Sequence, residues 1–228
     1  DRTGYLPLLQ FNETAADEVE AAVRRLLDEG AESLVLDLRG NGGGLVGHAI
    51  EIAGLFLPRG TPVAVQWERA GGEHTYHSPE EPLAPDVPLI VLVDEATASA
   101  AEIVAGALQD HDRAVVLGVA TFGKGLVQSA YRLDGDYILK MTTGRWHTPS
   151  GRIIHREREL IDGRLVAETP VERRDTALAD RPIFHSNGGR VLYGGGGIVP
   201  DVFAFPDTLT EVEQAFVRAI LPFSQDFY

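Results

Sequence analysis

Cysteine is absent from this 228-residue sequence, and no apolar run approaches the length of a membrane-spanning segment. Without cysteine the chain can have no disulfide, no catalytic thiol and no thiolate metal site. A membrane-spanning helix needs about 20 predominantly apolar residues, so none is expected. Basic residues are scarce: 20 Lys and Arg stand against 34 Asp and Glu, which gives a formal net charge of −14. A field of that sign repels phosphate groups, so nucleic acid and anionic membrane surfaces are not expected as partners.

Apolar residues, by contrast, make up 44% of the sequence, which is enough for a buried core. The sequence begins Asp1-Arg2-Thr3, shows no signal peptide and enters a strand-like segment almost at once. We therefore expect one core domain over residues 1–228, as a fragment of a longer chain with any targeting signal in the missing part.

Strand patterns alternate with helical patterns as far as residue 118, which predicts an α/β core. The predicted strands cover 5–11, 33–38, 62–67, 89–93, 114–117, 126–133 and 137–143. Helical patterns follow a capping-box-like TAAD at 14–17 and also occur around 50–57, over 100–109 and over 208–220. Residues 70–88 are polar and rich in proline, which is typical of an exposed loop or hairpin. Charges are dense and no period persists over 152–193, so this segment is predicted to be a polar surface insertion.

Ser99 lies between the most apolar strand pattern of the sequence and a predicted helix. Its ordinary interpretation is a helix cap, because Ser99 and Glu102 form the S-x-x-E pattern of a capping box. The position also suits a nucleophile, since a strand-to-helix turn exposes the hydroxyl on a rigid backbone and small neighbours let a peptide approach. A helix N-terminus in addition presents free N–H groups to a developing oxyanion.

Lys124 stands between two glycines and close to Phe122 in the sequence TFGKG. Most lysines are solvated surface charges, but a serine nucleophile needs a base, and a neutral lysine can serve as one. Burial favours the neutral amine, so we expect Phe122 and the glycine backbone to form a dry surround. We also expect three carboxylates to point away from the amine: Asp94, Glu95 and Glu102.

Two glycine-rich segments allow other functions. The sequence GGGLVG at 42–47 fits the G-x-G-x-x-G pattern of a dinucleotide-binding fold, and Glu68 falls near the position of its ribose-binding acid. Against this, Asp37, Arg39 and Asn41 are polar where that fold is usually apolar. The sequence GVATFGKG at 118–125 is close to a P-loop, but it ends in Gly instead of the Ser or Thr that binds magnesium, and a strand pattern follows.

The seven histidines do not converge in the sequence. His74 and His77 are close together but have no third ligand nearby, so we expect no metal and no other cofactor. A Ser-His-Asp triad stays open from spacing alone, although no histidine has a setting that favours it.

Five motifs together resemble the carboxy-terminal processing (tail-specific) proteases, which are serine peptidases of the S41 type. The motifs are LDLRGNGGG at 36–44, TASAAEI at 97–103, TFGKGLVQ at 121–128, HTPSGR at 147–152 and GGGIVPD at 195–201. They extend from near the beginning of the sequence to about residue 202, and the spacing of Ser99 and Lys124 is that of the family.

The resemblance implies an α/β spiral of the ClpP/crotonase type and a Ser-Lys dyad. Ser99 would be the nucleophile, Lys124 the general base and Gln128 the residue that orients the lysine. The backbone N–H groups of Gly44 and Ala100 would form the oxyanion hole.

The resemblance further implies an endopeptidase that forms an acyl-enzyme and cleaves proteins recognised near their C-terminus. Its expected partners are protein or peptide substrates with apolar C-termini. Family members usually carry a PDZ domain just before the segment that begins here, and it is absent from this sequence. They are usually exported, which suggests the periplasm or cell envelope. The alternative is a non-catalytic ligand-binding module on the same fold.

Overall fold

The computed structural model describes residues 2–69, 71–135, 137–161, 164–167, 178 and 180–205, together with positions 212, 215 and 216. Over these residues the helices and strands are, in chain order, β1 (Thr3–Pro7), α1 (Ala15–Asp28), β2 (Ser33–Asp37), α2 (Val46–Gly54), β3 (Pro62–Glu68), β4 (Glu73–His77), β5 (Leu89–Val93), α3 (Ala100–Asp110), β6 (Val115–Gly118), β7 (Leu126–Arg132), β8 (Ile138–His147), β9 (Arg158–Ile161), β10 (Arg164–Ala167), β11 (Ile183–His185), β12 (Val191–Tyr193) and β13 (Val202–Phe203).

A parallel sheet with the strand order β1-β2-β5-β6-β13 forms the centre of the fold. Its third strand, β5, has the sequence LIVLV, and Leu89, Val91 and Val93 are buried in it. Parallel strands covered on both faces are typically continuous apolar runs of this kind. The predicted α/β class is therefore confirmed.

Helix α3 is buried along its whole length, which is unusual for a helix that carries Glu102, Gln109 and Asp110. Small residues allow this close packing: a Cβ added at Gly106 would lie 2.8 Å from Thr148 Cγ2. Gln109 Nε2 donates to the Val199 carbonyl at 2.9 Å and to Asp201 Oδ1 at 3.0 Å, while Gln109 Oε1 has no partner among the described residues. The helix therefore sits at a fixed position relative to the sheet, and its N-terminus is fixed with it.

An antiparallel sheet with the order β4-β3-β8-β7 lies beside the parallel one. Strand β4 lies inside the segment 70–88, for which a loop or hairpin was predicted, and it forms a hairpin with the preceding strand β3. Strand β8 continues to His147, beyond the predicted end at residue 143. The predicted helix over 208–220 lies, apart from three positions, outside the described residues.

Two expectations need correction. The capping box predicted at 14–17 does not form, because the Thr14 hydroxyl donates to the side chains of Asn12 and Glu18 and makes no cap hydrogen bond. The predicted surface position of 152–193 does not hold at its ends, since Arg152, Ile154 and Leu192 are at most 2% exposed. Arg152 forms an ion pair with the buried Asp110. The charge of Arg152, which indicated a surface position, is therefore neutralised inside the protein.

Candidate active site

Ser99 lies where β5 has ended and α3 is about to begin, as the sequence predicted. Its backbone has φ 58° and ψ −116°, and in the described part of the chain only one other non-glycine residue, Asp112, has a positive φ. Such a conformation costs on the order of 1–3 kcal/mol and is often found at active sites. The Ser99 side chain is half-buried, so it is not sealed in the core. The residue also belongs to no strand.

Asp94 shapes the turn that leads from β5 to Ser99. Its carboxylate accepts hydrogen bonds from the N–H groups of Ala96 and Thr97 at 3.0 and 2.9 Å. It also accepts from the N–H of Gly40 at 2.9 Å, so it connects this turn to the loop after β2. The two loops are held together by a side chain that the sequence analysis treated only as a carboxylate near the lysine.

The glycine-rich loop after β2 lies directly against Ser99. A Cβ added at Gly43 would lie 2.7 Å from Ser99 Cβ and 3.0 Å from the Ala100 nitrogen, and φ at Gly43 is +93°. A Cβ at Gly44 would lie 2.1 Å from the Phe11 carbonyl oxygen. Only glycine fits at either position.

The N–H groups of Gly44 and Ala100 are the two donors predicted for an oxyanion hole. Within the described residues neither of them has a hydrogen-bond partner, whereas the N–H of Gly43 and that of Leu45 are both bonded. The glycine loop and the serine turn therefore each carry one N–H donor without a partner in that part of the chain, at Gly44 and at Ala100.

This packing also bears on the dinucleotide alternative. The space at Gly43, which a dinucleotide fold leaves open for the pyrophosphate, is filled here by the turn around Ser99. The polar residues Asp37 and Asn41 at the end of β2 are buried. The glycine pattern at 42–47 thus serves close packing against the serine turn.

Glu102 is fully buried and joins the serine turn to the lysine loop. Its Oε2 accepts from the backbone N–H of Ser99 and from that of Lys124, both at 2.8 Å. Its Oε1 accepts from the Thr121 hydroxyl at 2.5 Å and the Gly123 N–H at 2.7 Å. Burial raises the pKa of Glu102, and the four donors oppose that shift.

The sequence analysis assigned Glu102 to the helix cap, and that half of the capping box does form through the Ser99 N–H. It missed the link to Lys124. The available signal was an acidic residue on a helix whose other residues near it are alanine, isoleucine and valine. Such a carboxylate needs buried donors.

Lys124 does not have the predicted dry surround: its side chain is exposed, and Phe122 is 38% exposed. In this loop Thr121, Gly123 and Gly125 are buried, and the residues between them face outward. The oxygens of Glu102 are bonded to backbone N–H groups and to Thr121, and among the described residues no carboxylate forms an ion pair with the Lys124 amine.

Gln128 lies on β7 with its side chain exposed and is paired in register with Thr142. In the part of the chain that the structure describes, no hydrogen bond joins it to Lys124. Its expected orienting role therefore stays a prediction.

Asp37 and Arg39 form a second polar cluster that the sequence analysis did not assign to the site. Arg39 donates to Asp37 Oδ1 at 2.9 Å and to Oδ2 at 2.6 Å, and the Tyr5 hydroxyl donates to Oδ2 at 2.6 Å. Burial acts to raise the pKa of Asp37, but the hydrogen bonds from Arg39 and Tyr5 outweigh it and hold the pKa below its usual range. This cluster fixes the end of β2, from which the glycine loop starts.

No group of three or more His, Cys, Asp or Glu side chains among the described residues is arranged to hold a metal ion. No helix in the same set is both long and apolar enough to cross a membrane.

Comparison with known proteins places the chain in a class, the peptidases. The model of peptidase family S41 matches residues 2–162. The chain belongs to peptidase family S41.

Its relatives include carboxyl-terminal processing proteases. The carboxyl-terminal-processing protease of Synechocystis sp. is 43% identical over 153 residues, which are 67% of this chain and 35% of that protein. The chloroplastic carboxyl-terminal-processing peptidase 1 of Arabidopsis thaliana is 46% identical over 149 residues, which are 64% of this chain and 30% of that protein. The chain thus spans about a third of the length of these curated relatives.

Among solved structures, the photosystem II D1 C-terminal processing protease superposes with a TM-score of 0.68 at 29% sequence identity. The match covers 91% of this chain and 44% of that one. The architecture described above is thus that of an S41 peptidase core.

Proposed function

We propose that this chain is the peptidase core of a carboxy-terminal processing protease in which Ser99 is the nucleophile and Lys124 the general base. The observation that carries the proposal is the double hydrogen bond to Glu102 Oε2, which holds the backbone nitrogens of Ser99 and Lys124 at 2.8 Å each. Two residues far apart in sequence are thereby held on one buried atom. A link of this kind has a clear use if their side chains act together.

The reaction follows from that pairing. The Ser99 hydroxyl oxygen attacks the scissile carbonyl carbon while its proton passes to the neutral Lys124 amine. The tetrahedral oxyanion accepts hydrogen bonds from the N–H groups of Gly44 and Ala100. The C–N bond then breaks, Lys124 returns the proton to the leaving amine, and an ester to Ser99 remains. Lys124 then takes a proton from a water molecule, whose oxygen attacks the ester carbonyl carbon. The C–O bond to Ser99 breaks, the carboxylic acid product leaves, and Lys124 returns the proton to the serine oxygen.

Lys124 must be neutral to begin this cycle, and an exposed amine is solvated in its charged form. We infer that the bound substrate, or another part of the full-length protein, covers Lys124 and Phe122 when the site is assembled. Gln128 would orient the lysine in that covered state. The exposure of Phe122 and Lys124 supports this inference, because both side chains are accessible to a substrate chain.

The proposed substrates are proteins recognised near an apolar C-terminus, in an exported compartment. A cavity of about 580 Å³ beside the start of β7 is lined by the apolar side chains of Trp67, Leu126 and Ile153, together with polar and charged ones that include Glu68 and Arg145. Leu126 is two residues from Lys124. A cavity of that size accommodates large apolar side chains. The names of the relatives, which refer to carboxyl-terminal processing, point to the same end of the substrate.

The proposal is tested with Ser99→Ala and Lys124→Ala in the full-length protein. Both changes should abolish cleavage of an unfolded protein with an apolar C-terminus while leaving the melting temperature near that of the parent, because the two groups act as a unit. Lys140→Ala is the matched control, since Lys140 is exposed on β8 and is the other lysine of the 228 residues. Near-parental activity in Lys124→Ala would exclude lysine as the base and would favour the non-lysine alternatives, including a histidine.

A further inference from the structure

Asn41 is a fully buried polar side chain near the site, although it makes no hydrogen bond with Ser99 or Lys124 in the described structure. Its hydrogen bonds reach its own loop and two other segments of the chain. Its Nδ2 donates to the Leu8 carbonyl at 2.7 Å, and its Oδ1 accepts from the Gly43 N–H at 2.8 Å. Its backbone carbonyl accepts from the Ala98 N–H at 2.8 Å.

These bonds fix the peptide groups on both sides of Gly44. The Gly43 N–H is bound by Asn41, the Gly43 carbonyl accepts from the Phe11 N–H at 3.1 Å, and the Leu45 N–H donates to Phe11 at 2.8 Å. In the described chain the Gly44 N–H, between these bonded groups, has no partner. The loop therefore has little freedom to turn this donor away.

Asn41 also sets the distance between the loop and the serine. Its carbonyl holds Ala98, the residue before Ser99, while its side chain holds Gly43, whose backbone already touches the Ser99 turn. Asn41 thus acts on the gap between the Gly44 and Ala100 donors through its side chain at Gly43 and through its backbone at Ala98, beside the link that Asp94 makes. An oxyanion hole works only when its donors are preorganised at hydrogen-bond distance from the developing charge.

We propose that Asn41 is a positioning residue of the oxyanion hole, whose carboxamide holds the Gly43 peptide so that the Gly44 N–H stays beside Ser99. The inference rests on the proposed peptidase function. It assigns to Asn41 an effect on the tetrahedral state and not on substrate capture. Aspartate at this position keeps the acceptor for Gly43 but loses the donor to Leu8, and leucine loses both.

The test compares Asn41→Asp and Asn41→Leu with the parent full-length protein. In Asn41→Leu we expect kcat to fall at least about 30-fold with KM changed less than about threefold, since loss of one oxyanion donor costs about 10²–10³ in kcat. The affinity for a peptide boronic acid, which forms a tetrahedral adduct with the serine, should fall by a similar factor. The affinity for the cleaved product peptide should not change. Asn41→Asp should lie between Asn41→Leu and the parent.

Ser78→Ala is the control for a lost buried hydrogen bond, because Ser78 is 2% exposed and bonds the Leu57 carbonyl at 3.2 Å away from the site. It should lower the melting temperature and leave kcat unchanged. If Asn41→Leu does not fold, Gly43→Ala reaches the same gap from the other side, since its Cβ would meet Ser99 Cβ at 2.7 Å. It should show the same loss of kcat and of boronate affinity.

A folded Asn41→Leu or Gly43→Ala with parental kcat and boronate affinity would overturn the inference. So would a rise in KM at constant kcat, or a lower kcat in Asn41→Asp than in Asn41→Leu. An inactive parent would instead count against the proposed peptidase function, so the two failures are distinguishable.

Discussion

At the scale of single residues, the proposed catalytic pair is connected through Glu102. Its carboxylate holds the backbones of Ser99 and Lys124, and the remaining oxygen holds Thr121 and Gly123. A buried carboxylate with four donors is stable only while all of them stay in place. Small changes at this position should therefore reach both Ser99 and Lys124.

Glu102→Gln should lower kcat by about 10²-fold, because the amide NH₂ would face N–H donors of Ser99 or Lys124 and push one of them away. The free energy of unfolding should fall by about 1–3 kcal/mol, the usual cost of buried polar groups left without a partner. The measurement is steady-state kinetics together with urea unfolding. Glu95→Gln is the matched control, because Glu95 lies exposed in the same turn and its change removes the same charge. Equal kcat values in both variants would argue against this role.

The Asp37 cluster makes a prediction about acid stability. The pKa of Asp37 is lower in the folded protein than its usual value, so the unfolded chain binds more protons as the pH falls. The stability that this carboxylate contributes is therefore present above the usual Asp pKa of about 3.9 and is lost as the pH falls through the folded value.

Urea unfolding from pH 6 to pH 2 checks this by comparing the parent with Asp37→Asn. The difference in the free energy of unfolding should be largest above about pH 4 and should shrink towards pH 2. A difference that stays constant, or that grows on acidification, would show that the hydrogen bonds from Arg39 and Tyr5 do not stabilise the ionised carboxylate.

At the scale of elements, α3 is the part that positions the site, and both of its ends are fixed by buried charges. Glu102 holds its first turn, and Asp110 at its last residue pairs with Arg152, with both side chains 1% exposed. Asp110 also accepts from the Ser150 N–H at 2.8 Å. The turn after β8 is thus attached to the helix that begins at Ser99.

Arg152→Met should destabilise the protein by about 3–5 kcal/mol, because it leaves the Asp110 carboxylate buried without its counter-charge. Adding Asp110→Asn should recover part of this loss, since the amide oxygen still accepts from Ser150. Chemical unfolding measures both. Arg24→Met provides the contrast, as its ion pair with Glu20 is exposed and should contribute less than about 1 kcal/mol. A double variant less stable than Arg152→Met alone would contradict the account.

At the scale of the whole molecule, the sequence predicted the elements whose signals are local. The strand at 89–93 was predicted to the residue, and α3 extends one residue beyond the predicted 100–109. The apolar run and the S-x-x-E pattern carry those predictions by themselves. The C-terminal end of β8 was placed too early, because Gly144 and the charged Arg145 continue a strand whose pairing with β3 is set by tertiary contacts.

The candidate site divides in the same way. Ser99 lies at the strand-to-helix turn that the sequence predicted, and the glycine loop packs against it at Gly43. The oxyanion-hole role of Gly44 and Ala100 stays a prediction. The roles of Asn41 and Glu102 depend on backbone groups of Leu8, Ala98 and Lys124. An acidic residue on an apolar helix indicates that Glu102 needs buried donors, but no local pattern indicates which groups those are.

The most direct test of the account asks whether an amine at position 124 is the base. Because the 228 residues contain no cysteine, Lys124→Cys introduces a single thiol into them. Bromoethylamine converts this thiol to an amine side chain in which sulfur replaces one methylene group of lysine. We predict that Lys124→Cys is inactive, that aminoethylation restores cleavage, and that the acid limb of kcat/KM against pH moves to lower pH because sulfur makes the new amine less basic. Alkylation with iodoacetamide should restore nothing. Two results would contradict the assignment of Lys124 as the general base. One is a protein that mass spectrometry shows to be fully aminoethylated but that stays inactive, and the other is recovered activity with an acid limb at the parental pH.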